Sequence, residues 1–337
     1  MKVLVTGAAG FIGGRLTRRL LTDGLDSREV EVVCIDAFTD SYDPAIKRRV
    51  VNELAAPPRC TMIDADLRGD GRQHLLDGVE VVLHQAGQPG VRASWDDGFA
   101  LYPEHNVQAT QRLLEACTRR PLRRFVFASS SSVYGDAREL PTPEDTLPQP
   151  VSPYGVTKLA AEHLCSVYAQ DKALPVVCLR LFTVYGGGQR PDMALQRMIK
   201  AARTGAAFQL FGGGEQRRDL IHVDDVVTAI LATVDAEVER GETLNIASGT
   251  NSSVNELLDL VRGAVGSAVP VERRPEQPGD IQHTDGDTSR AAARLGWRCT
   301  IGLSEGIQEQ VATDLASIDV DAAALGSPTR RSLSPRN

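Results

Sequence analysis

A glycine-rich turn near the amino terminus constrains the possible folds of this chain more than any other feature. Residues 2–6 form an apolar run typical of a short buried strand, and Gly7, Gly10 and Gly13 follow it before a helical stretch begins. Glycines permit a tight turn and close backbone approach, and the start of a helix directs free amide groups at a pyrophosphate. The turn therefore predicts a dinucleotide site, with a purely structural turn as the alternative.

Acidic residues at the ends of the next two predicted strands refine this prediction. Val30 to Ile35 form an apolar run that ends in Asp36. A carboxylate about 20 residues after such a turn can accept hydrogen bonds from the adenosine ribose and would repel a 2′-phosphate, so it favours NAD over NADP. Asp66 follows the third strand, where it either meets the adenine amino group or is an ordinary surface carboxylate.

Strands and helices alternate through the first half of the chain. Further strands are expected near 60–64, 79–84, 123–129 and 175–181, and helices near 45–55, 97–119 and 152–170. This alternation predicts an α/β fold with right-handed crossovers and a doubly wound, Rossmann-type parallel sheet. The sheet domain is expected to comprise residues 1–185, with a return segment near 223–248.

The second half of the chain has a looser composition, rich in glycine and arginine. Residues 186–222 and 249–315 predict a smaller, discontinuous C-terminal lobe that binds the substrate, with a last helix from Leu303 to Leu315. The polar tail 318–337 is expected to be disordered.

Tyr154 and Lys158 lie four residues apart in a run without a helix breaker. On a helix their side chains lie one turn apart on the same face. Tyrosine ionises near pH ~10, and a nearby cation favours the phenolate. The pair therefore predicts a base usable at neutral pH, although an ordinary solvated pair on a surface helix has the same spacing.

Polar residues also follow two later strands. Ser129 to Ser132 stand at a strand end, where ligands of such sheets bind and where hydroxyls can bond to a sugar; a flexible serine loop is the alternative. After the strand that ends at His84, small residues permit close approach of a cofactor, and Arg92 offers a charged fork for phosphate or carboxylate. His84 itself is expected to be packed. Three more arginines are candidate anion ligands or solvated charges: Arg190, Arg217 and Arg218.

The composition argues against several other classes of protein. With 337 residues, 42% hydrophobic and 24% charged, the chain reads as an ordinary soluble protein without a membrane span, and the absence of a recognisable signal peptide predicts a cytoplasmic location. The six cysteines are scattered without a Cys-x-x-Cys pair, which favours buried free thiols and no metal site. A formal net charge of −7 with only short arginine runs disfavours nucleic acid as a partner.

These motifs together resemble those of the extended short-chain dehydrogenases/reductases, and within them the NAD-dependent nucleotide-sugar epimerases and dehydratases. The resemblance runs from Met1 to about residue 315 and includes the glycine turn, Asp36, the serine loop, the Tyr154/Lys158 pair, Arg218-Asp219 and Pro278-Gly279-Asp280. It implies that Ser130, Tyr154 and Lys158 form the catalytic set and that Lys158 also bonds the nicotinamide ribose.

The resemblance also implies contacts for the bound molecules and identifies the smaller lobe as the nucleotide-sugar-binding part. The implied NAD-binding residues are Gly7, Gly10, Phe11, Ile12, Gly13, Asp36, Asp66, Leu67, Gln85, Ala86, Gly87, Asn106, Ser129, Tyr154, Lys158, Phe182 and Val184. The implied residues around a UDP-sugar substrate are Pro89, Gly90, Arg92, Ser130, Ser131, Ser132, Tyr154, Thr183, Arg190, Ala194, Phe208, Gln209, Arg218 and Asp280. The family further suggests a homodimer packed through the helices near 97–119 and 152–170.

Within the family, several segments look most like UDP-glucuronate 4-epimerases: residues 36–43, 88–92, 182–186, 190–194 and 277–280. This implies interconversion of UDP-glucuronate and UDP-galacturonate with tightly bound NAD. Two segments beside the substrate depart from the usual pattern, since the family has Ala-Gln-Ala-Gly at 87–90 and Gly-Pro at 186–187.

Other activities remain as alternatives to this reading. UDP-glucose 4-epimerase has the same catalytic set, and UDP-glucuronate decarboxylase comes next. Decarboxylases and 4,6-dehydratases of the family carry an acidic residue at the position of Ser132. A protein that only binds NAD would have no need of Tyr154 and Lys158 together.

Overall fold

Alternating strands and helices build most of the protein. The computed structural model describes residues 1–25, 28–54, 58–69, 72–276 and 281–325. The strands, in chain order, are β1 (Lys2–Thr6), β2 (Glu31–Asp36), β3 (Cys60–Asp64), β4 (Val81–His84), β5 (Arg124–Ser130), β6 (Val176–Leu181), β7 (Thr183–Tyr185), β8 (Phe208–Phe211), β9 (Arg217–His222), β10 (Glu242–Ile246), β11 (Asn251–Ser253) and β12 (Val271–Arg274). The α-helices are α1 (Phe11–Asp23), α2 (Pro44–Leu54), α3 (Ala109–Cys117), α4 (Pro153–Asp171), α5 (Ala194–Thr204), α6 (Val223–Ala232), α7 (Val254–Val265), α8 (Ser289–Leu295) and α9 (Leu303–Leu325).

The main sheet has seven strands in the order β10-β6-β5-β4-β1-β2-β3, and every neighbouring pair is parallel. The chain winds outward from β1 through β2 to β3, then returns to β4 and winds the other way. This is the doubly wound arrangement, so the predicted fold class is confirmed. In such sheets ligands bind beyond the carboxyl ends of the strands, where the winding reverses.

The strands of the sheet are nearly continuous apolar runs because helices cover both faces. Consecutive residues of one strand enter opposite cores, since side chains alternate across a sheet. One core combines the strands with α1 and α6 through Val3, Val5, Leu16, Leu20, Val226 and Ile230. The other combines them with α3 and α4 through Leu4, Phe125, Phe127, Leu114, Ala161 and Cys165. Burial on both faces therefore fixes the helix that carries Tyr154 against the centre of the sheet.

The smaller lobe contains two short sheets. In one, β9 pairs with β7 in parallel and with β11 in antiparallel, and in the other β8 and β12 pair in parallel. A third core cluster joins these strands to α5, α7 and α9. Between the two parts of the lobe, the chain returns to the main sheet, where β10 pairs with β6.

Charged side chains connect the last helix to the helix of the glycine turn. Arg15 on α1 contacts Asp224 at 2.5 Å and Glu309 on α9 at 3.3 Å. The buried His222 places Nε2 2.5 Å from Glu309. These three acceptors lie close enough to hold a cation, but Arg15 already occupies both carboxylates.

Two predicted helices differ from the structure. The stretch 97–119 is interrupted: a 3₁₀ turn (Asp96–Ala100) and a π-helical turn (Pro103–Gln108) precede α3. Pro103 causes the break because it has no N–H to continue the helical bonding. The last helix does not end at Leu315 but continues to Leu325, so the first part of the tail expected to be disordered is helical. Residues 316–325 contain no glycine or proline, whereas 326–337 lie outside the described residues.

The structure can also be compared with two predictions made from the composition, on the cysteines and on membrane spans. Cys34, Cys117, Cys165 and Cys178 are buried, and all six cysteines are free, so the prediction of free thiols is confirmed. Among the described residues, no helix has both the length and the apolar character needed to cross a membrane.

Candidate active site

A cleft of about 710 Å³ runs along the carboxyl ends of the main sheet. Residues that directly follow β1, β2, β3, β4 and β6 line it, together with the end of β5 and part of the smaller lobe. This is the position that the reversal of strand order predicts for a ligand. Among the predicted cofactor and substrate residues, those that line the cleft are Gly7, Gly10, Phe11, Ile12, Gly13, Asp36, Asp66, Leu67, Gln85, Ala86, Gly87, Pro89, Gly90, Arg92, Ser129, Ser130, Ser131, Ser132, Tyr154, Lys158, Phe182, Thr183, Val184, Arg190, Ala194 and Arg218.

The glycine turn brings backbone into contact with backbone at one end of the cleft. Gly7 has φ +67°, and a Cβ there would lie 2.8 Å from the amide nitrogen of Ala86. A Cβ on Gly13 would lie 2.1 Å from the carbonyl oxygen of Gly7. No side chain fits at either position, and α1 begins at Phe11 with its amides directed into the turn.

Asp36 joins this turn to the second strand. One carboxylate oxygen accepts from the amide of Ala9 at 3.0 Å, and the other accepts from the amide of Phe38 at 2.8 Å. A carboxylate offers about four lone-pair sites, so two hydrogen bonds leave capacity for ribose hydroxyls. Asp36 can therefore hold the turn and bind a ribose at the same time.

Asp66 reaches the cleft already paired. Arg68 binds its carboxylate through two nitrogens, at 2.7 and 2.9 Å, and also contacts Glu104. These hydrogen bonds from Arg68 lower the pKa of Asp66. Any contact between Asp66 and an adenine amino group must share the carboxylate with Arg68.

Two amide side chains predicted to touch the cofactor differ in their hydrogen bonding: Gln85, directly after β4, and Asn106, in the π-helical turn. Both amide atoms of the Gln85 side chain are buried without a hydrogen-bond partner among the described residues. Asn106 was predicted to touch the cofactor but does not line the cleft. Its amide instead binds the backbone of Gln88 at 2.7 and 3.2 Å and donates to Thr157 at 3.0 Å, so it supports the cleft wall from behind.

Tyr154 stands in the first turn of α4 because the sequence starts the helix directly before it. The side chain of Ser152 caps the helix by accepting from the amide of Gly155 at 3.1 Å, and Pro153 occupies the first helical position. Lys158 follows one turn later, and both side chains line the cleft as the spacing predicts.

The environment of Tyr154 differs from the expectation for its ionisation. Burial raises the pKa of Tyr154, and this effect outweighs the polar side chain of Ser130 and the positive charge of Arg190, which both lower it. The opposing cation comes from the smaller lobe rather than from Lys158. The raised pKa keeps the phenol protonated at neutral pH in the cofactor-free protein. The sequence prediction differed because the spacing of Tyr154 and Lys158 does not reveal their desolvation.

Lys158 is an ammonium held in a largely apolar place. Its Nζ donates to the carbonyl of Ala128 at 2.9 Å and lies 5.1 Å from the ring centre of Phe127. Burial lowers the pKa of Lys158 to about 8, while Cys165 and Glu162 act to raise it. His84, nearby on β4, is packed between Thr6 and Thr110 as expected, with a pKa lowered to about 3 by burial.

Hydroxyl groups and arginines line the other end of the cleft. Ser130 donates to Ser132 at 3.1 Å, and both face the cleft beside Thr183. Arg190, whose side chain is 19% exposed, pairs with Asp192 at 2.8 Å. This end therefore offers neutral donors and one shielded cation to a sugar.

Several other predicted ligands lie elsewhere. Phe208 is 6% exposed and packs into the small-lobe core, so it does not line the cleft, and neither does its neighbour Gln209. Alternation along β8 turns Phe208 toward α5, where Arg197 stacks on it at 5.5 Å and itself reaches the cleft. Arg217 is engaged by Asn251 and Glu256 outside the cleft. Asp280 lies outside the described residues.

The structure also adds residues that sequence reasoning did not single out individually. Lys47 donates to the backbone and side-chain oxygens of Thr39 at 2.8 and 3.1 Å and lies 4.9 Å from the ring centre of Tyr42. All three line the cleft. The similarity of residues 36–43 to the family was the sequence signal for Thr39 and Tyr42, and no sequence signal indicated Lys47. The other additional lining residues near the ends of the cleft include Ser41, His105, Asp192, Arg197, Ile281 and Thr284.

Fold and site together define an α/β enzyme of the short-chain dehydrogenase type, with a dinucleotide turn and a Ser-Tyr-Lys set on one cleft. A model of the NAD-dependent epimerase/dehydratase family matches residues 3–247, and the chain belongs to this family. Its cofactor is NAD.

Individual relatives agree with this family over nearly the whole chain. A Bacillus subtilis (strain 168) protein named as an uncharacterized UDP-glucose epimerase is 40% identical over 93% of this chain and 97% of its own length. The UDP-glucuronate 4-epimerase of Thermodesulfobacterium geofontis (strain OPF15) is 31% identical over 91% and 94%. The crystal structure of UDP-glucuronic acid 4-epimerase from Bacillus cereus, in complex with UDP-glucuronic acid and NAD, is 37% identical, with a TM-score of 0.90 and coverage of 94% of this chain and 100% of that one.

The residues present fit NAD. The glycine turn leaves no space for side chains where a pyrophosphate would approach, and Asp36 retains acceptor capacity for a ribose. Gln85 presents buried amide atoms that need a partner. The predicted cofactor set thus has both the shape and the unsatisfied polar groups that a dinucleotide requires.

Substitution of Gly13 by alanine should weaken NAD binding by at least about tenfold, because the added Cβ would lie 2.1 Å from the Gly7 carbonyl and displace the turn. Calorimetric titration of the cofactor-free protein with NAD measures this. Gly263→Ala is a matched control, since Gly263 also lies in a helix and a Cβ there meets nothing within 4 Å. Equal affinity in the Gly13 variant would contradict the assigned turn.

The buried ammonium of Lys158 should make stability depend on pH. Its pKa is lowered from 10.5 to about 8, so between these values the unfolded chain binds more protons than the folded one. The contribution of Lys158 to the free energy of unfolding is therefore lowest below pH 8 and rises toward pH 10.5. Relative to wild type, Lys158→Met should be most stable near pH 7 and lose roughly 3 kcal/mol of that advantage by pH 10.5.

Urea unfolding of the NAD-free proteins across this pH range measures the difference. Lys172→Met, at an exposed position directly after α4, serves as the control and should show no such trend. A constant difference between wild type and Lys158→Met at all pH values would contradict a buried cation.

Proposed function

We propose that the protein is a UDP-glucuronate 4-epimerase, which interconverts UDP-glucuronate and UDP-galacturonate and uses NAD without net consumption. Within its family the protein is a UDP-sugar 4-epimerase, and the choice of glucuronate rests on Arg190. The names of the Thermodesulfobacterium geofontis and Bacillus cereus relatives support that choice.

Arg190 places positive charge beside the reacting end of the sugar. It lies close enough to Tyr154 to lower the pKa of that phenol, and its side chain is only 19% exposed. The carboxylate on carbon 6 of glucuronate lies two carbons from carbon 4, where the chemistry occurs. Asp192 accepts from Nε and Nη2 of Arg190, so a sugar carboxylate would bind the other N–H groups of the guanidinium. These groups favour a carboxylate over the hydroxymethyl group of glucose, because their hydrogen bonds to it are charge-assisted.

The proposed chemistry follows from the groups around carbon 4. Tyr154, as phenolate, accepts the proton of the 4-hydroxyl, and Ser130 donates to the same oxygen. NAD, when bound, supplies the acceptor and donor of hydride at carbon 4. Tyr154 keeps the proton until the 4-keto sugar has turned its other face, and it then returns the proton to the oxygen. Lys158, with its ammonium charged, favours the phenolate during this cycle.

An epimerase that acts on glucuronate must also protect its intermediate. A 4-keto glucuronate is a β-keto acid, and it loses carbon dioxide when the carboxylate bond stands perpendicular to the carbonyl plane. Ser131, Ser132 and Thr183 are neutral donors that line this end of the cleft and can hold the carboxylate in another orientation. Ser132 stands where decarboxylases carry an acid, so this chain lacks the group that assists proton movement at carbon 5.

A second candidate is UDP-glucose 4-epimerase. The name of the Bacillus subtilis relative favours it, and the Ser130, Tyr154 and Lys158 set would perform the same oxidation at carbon 4. The two candidates differ in the group that Arg190 would contact at carbon 6, which is a carboxylate in UDP-glucuronate and a hydroxymethyl group in UDP-glucose.

The substrate is tested by incubating the purified protein with UDP-glucuronate or UDP-glucose and separating the products. We expect UDP-galacturonate without UDP-pentose, and we expect Arg190→Met to lower kcat/KM for UDP-glucuronate roughly 100-fold through loss of a charge-assisted pair. Activity with UDP-glucose should fall much less. Tyr154→Phe should retain NAD and lose turnover with either sugar.

Arg203→Met is the matched control, because Arg203 lies on α5 and does not line the cleft. UDP-galactose as the only product would favour the second candidate, and UDP-pentose would indicate a decarboxylase. Equal losses on both sugars in Arg190→Met would contradict a role for Arg190 in recognising the carboxylate.

We also propose that two copies of the chain form a homodimer through α3 and α4. Val156 and Val167 on α4 are 50% and 52% exposed. They lie about three helical turns apart, so they share one face of the helix. An apolar face of this kind is stabilised when a second copy covers it.

Light scattering coupled to size exclusion should therefore give twice the chain mass of 36.3 kDa. The double variant Val156→Asp, Val167→Asp should shift the mass toward that of one chain, because charges would be buried in the interface. Val271→Asp is the control, since Val271 is 41% exposed but lies on β12. A wild-type mass of one chain would contradict the dimer.

A further inference from the structure

We propose that Glu162 is a positioning residue that joins the helix of Tyr154 and Lys158 to the strand of the serine turn and places a carboxylate one helical turn from Lys158. Its partner in this task is Arg180 on β6. The inference rests on the proposed roles of Tyr154 and Lys158, and it assigns to the same site a group that touches neither substrate nor cofactor.

Glu162 extends the row of predicted catalytic side chains by one helical turn. Tyr154, Lys158 and Glu162 follow each other at intervals of four residues, so they lie on one face of α4. They engage three consecutive residues at the end of β5. Lys158 donates to the carbonyl of Ala128, Glu162 accepts from the hydroxyl of Ser129, and the side chain of Ser130 lies beside Tyr154 and lowers its pKa. The end of β5 and this face of α4 are therefore joined at two consecutive strand residues, Ala128 and Ser129.

Arg180 completes this contact from the neighbouring strand. In the register of β5 and β6, Arg180 lies opposite Ser129. It binds Glu162 through Nη2 at 2.9 Å and Nε at 3.0 Å, and the two side chains are only 7% and 6% exposed. Removing two charges from water is costly, and a well-packed apolar pair would serve stability as well. The location of the pair beneath the reacting groups therefore indicates a role in the site.

The same arginine also holds the loop that follows the serine turn. Its guanidinium lies 4.7 Å from the ring centre of Tyr134, and Nη1 donates to the carbonyl of Glu144 at 3.1 Å. Tyr134 directly follows the turn Ser131–Val133. Through Arg180, Glu162 is thus connected to the turn that carries the proposed donors for the sugar.

Glu162 is the carboxylate that supports the charge of Lys158. The titratable groups that act on or are acted on by Lys158 are Glu162 and Cys165 on α4 and His84 on β4, and Arg180 and Cys178 on β6 lie behind Glu162. Tyr154 precedes Lys158 by one turn of α4. Asn106, in the π-helical turn, lies beside the Lys158 amine and is uncharged. Burial lowers the pKa of Lys158 to about 8, and Glu162 opposes that effect. Without the carboxylate of Glu162, the cations Lys158 and Arg180 would be buried close together with no negative charge between them. Lys158 would then lose its proton more easily.

The pKa of Lys158 can be measured directly in the NAD-free protein by competitive labelling with 1-fluoro-2,4-dinitrobenzene and peptide mass spectrometry between pH 6 and 11. We expect Glu162→Gln to lower it by at least about one unit and to move the alkaline limb of turnover by the same amount. Arg180→Met should not lower it, because it leaves the carboxylate in place. Glu162→Asp, which keeps the charge, should keep the pKa while reducing kcat.

Glu242→Gln is the matched control, since Glu242 is a carboxylate with a side chain 9% exposed that pairs with Arg294 at 2.8 Å at the opposite end of the sheet. It should leave the pKa of Lys158 unchanged. If Glu162→Gln does not fold, the double variant Glu162→Gln, Arg180→Met removes both charges. The pKa of Lys158 measured in this double variant should lie below that of wild type.

Two results would overturn the proposal. One is an unchanged pKa of Lys158 in Glu162→Gln or, where that variant does not fold, in the double variant. The other is an equal decrease in Glu162→Gln and Arg180→Met, which would indicate a general loss of packing. Labelling needs no turnover, so failure to act on any UDP-sugar would refute the proposed function and leave this measurement valid.

Discussion

The site depends above all on the contact between α4 and the carboxyl end of β5. Lys158 binds the carbonyl of Ala128, and Glu162 binds Ser129 and Arg180 one turn further along. The side chains of Lys158, Glu162, Ser129 and Arg180 are all buried, so these bonds form where water does not compete. The same burial lowers the pKa of Lys158 and raises that of Tyr154, which opposes the charged pair that catalysis requires.

The smaller lobe contributes a positive charge to the cleft, through Arg190. The ends of the strands provide hydroxyls and backbone groups, whereas Arg190 reaches the cleft from the segment after β7. This guanidinium is the cation that lowers the pKa of Tyr154, so the ionisation of the base depends on how the two parts of the chain meet. The proposed preference for glucuronate and the ionisation of the base therefore depend partly on the same residue.

Local sequence predicted what depends on local geometry. Gly7 and Gly13 could be recognised because only glycine tolerates such close backbone contact, and the order of strands and helices predicted the doubly wound sheet. Tertiary neighbours could not be predicted in this way. Spacing placed Tyr154 and Lys158 together but did not reveal their desolvation. Phe208 reads like any other strand residue, and only the packing of β8 against α5 shows that it faces the core.

The positions of Arg190 and Glu162 also bear on how the proposed substrate affects its own base. A glucuronate carboxylate paired with Arg190 would cancel much of the field that lowers the pKa of Tyr154, whereas UDP-glucose would leave that field in place. In the glucuronate complex the burial of Tyr154 must then be opposed chiefly by Ser130 and by the ammonium of Lys158. An enzyme that epimerises a sugar acid therefore has a stronger need for a charged Lys158 than one that epimerises a neutral sugar, and a carboxylate behind the lysine meets that need.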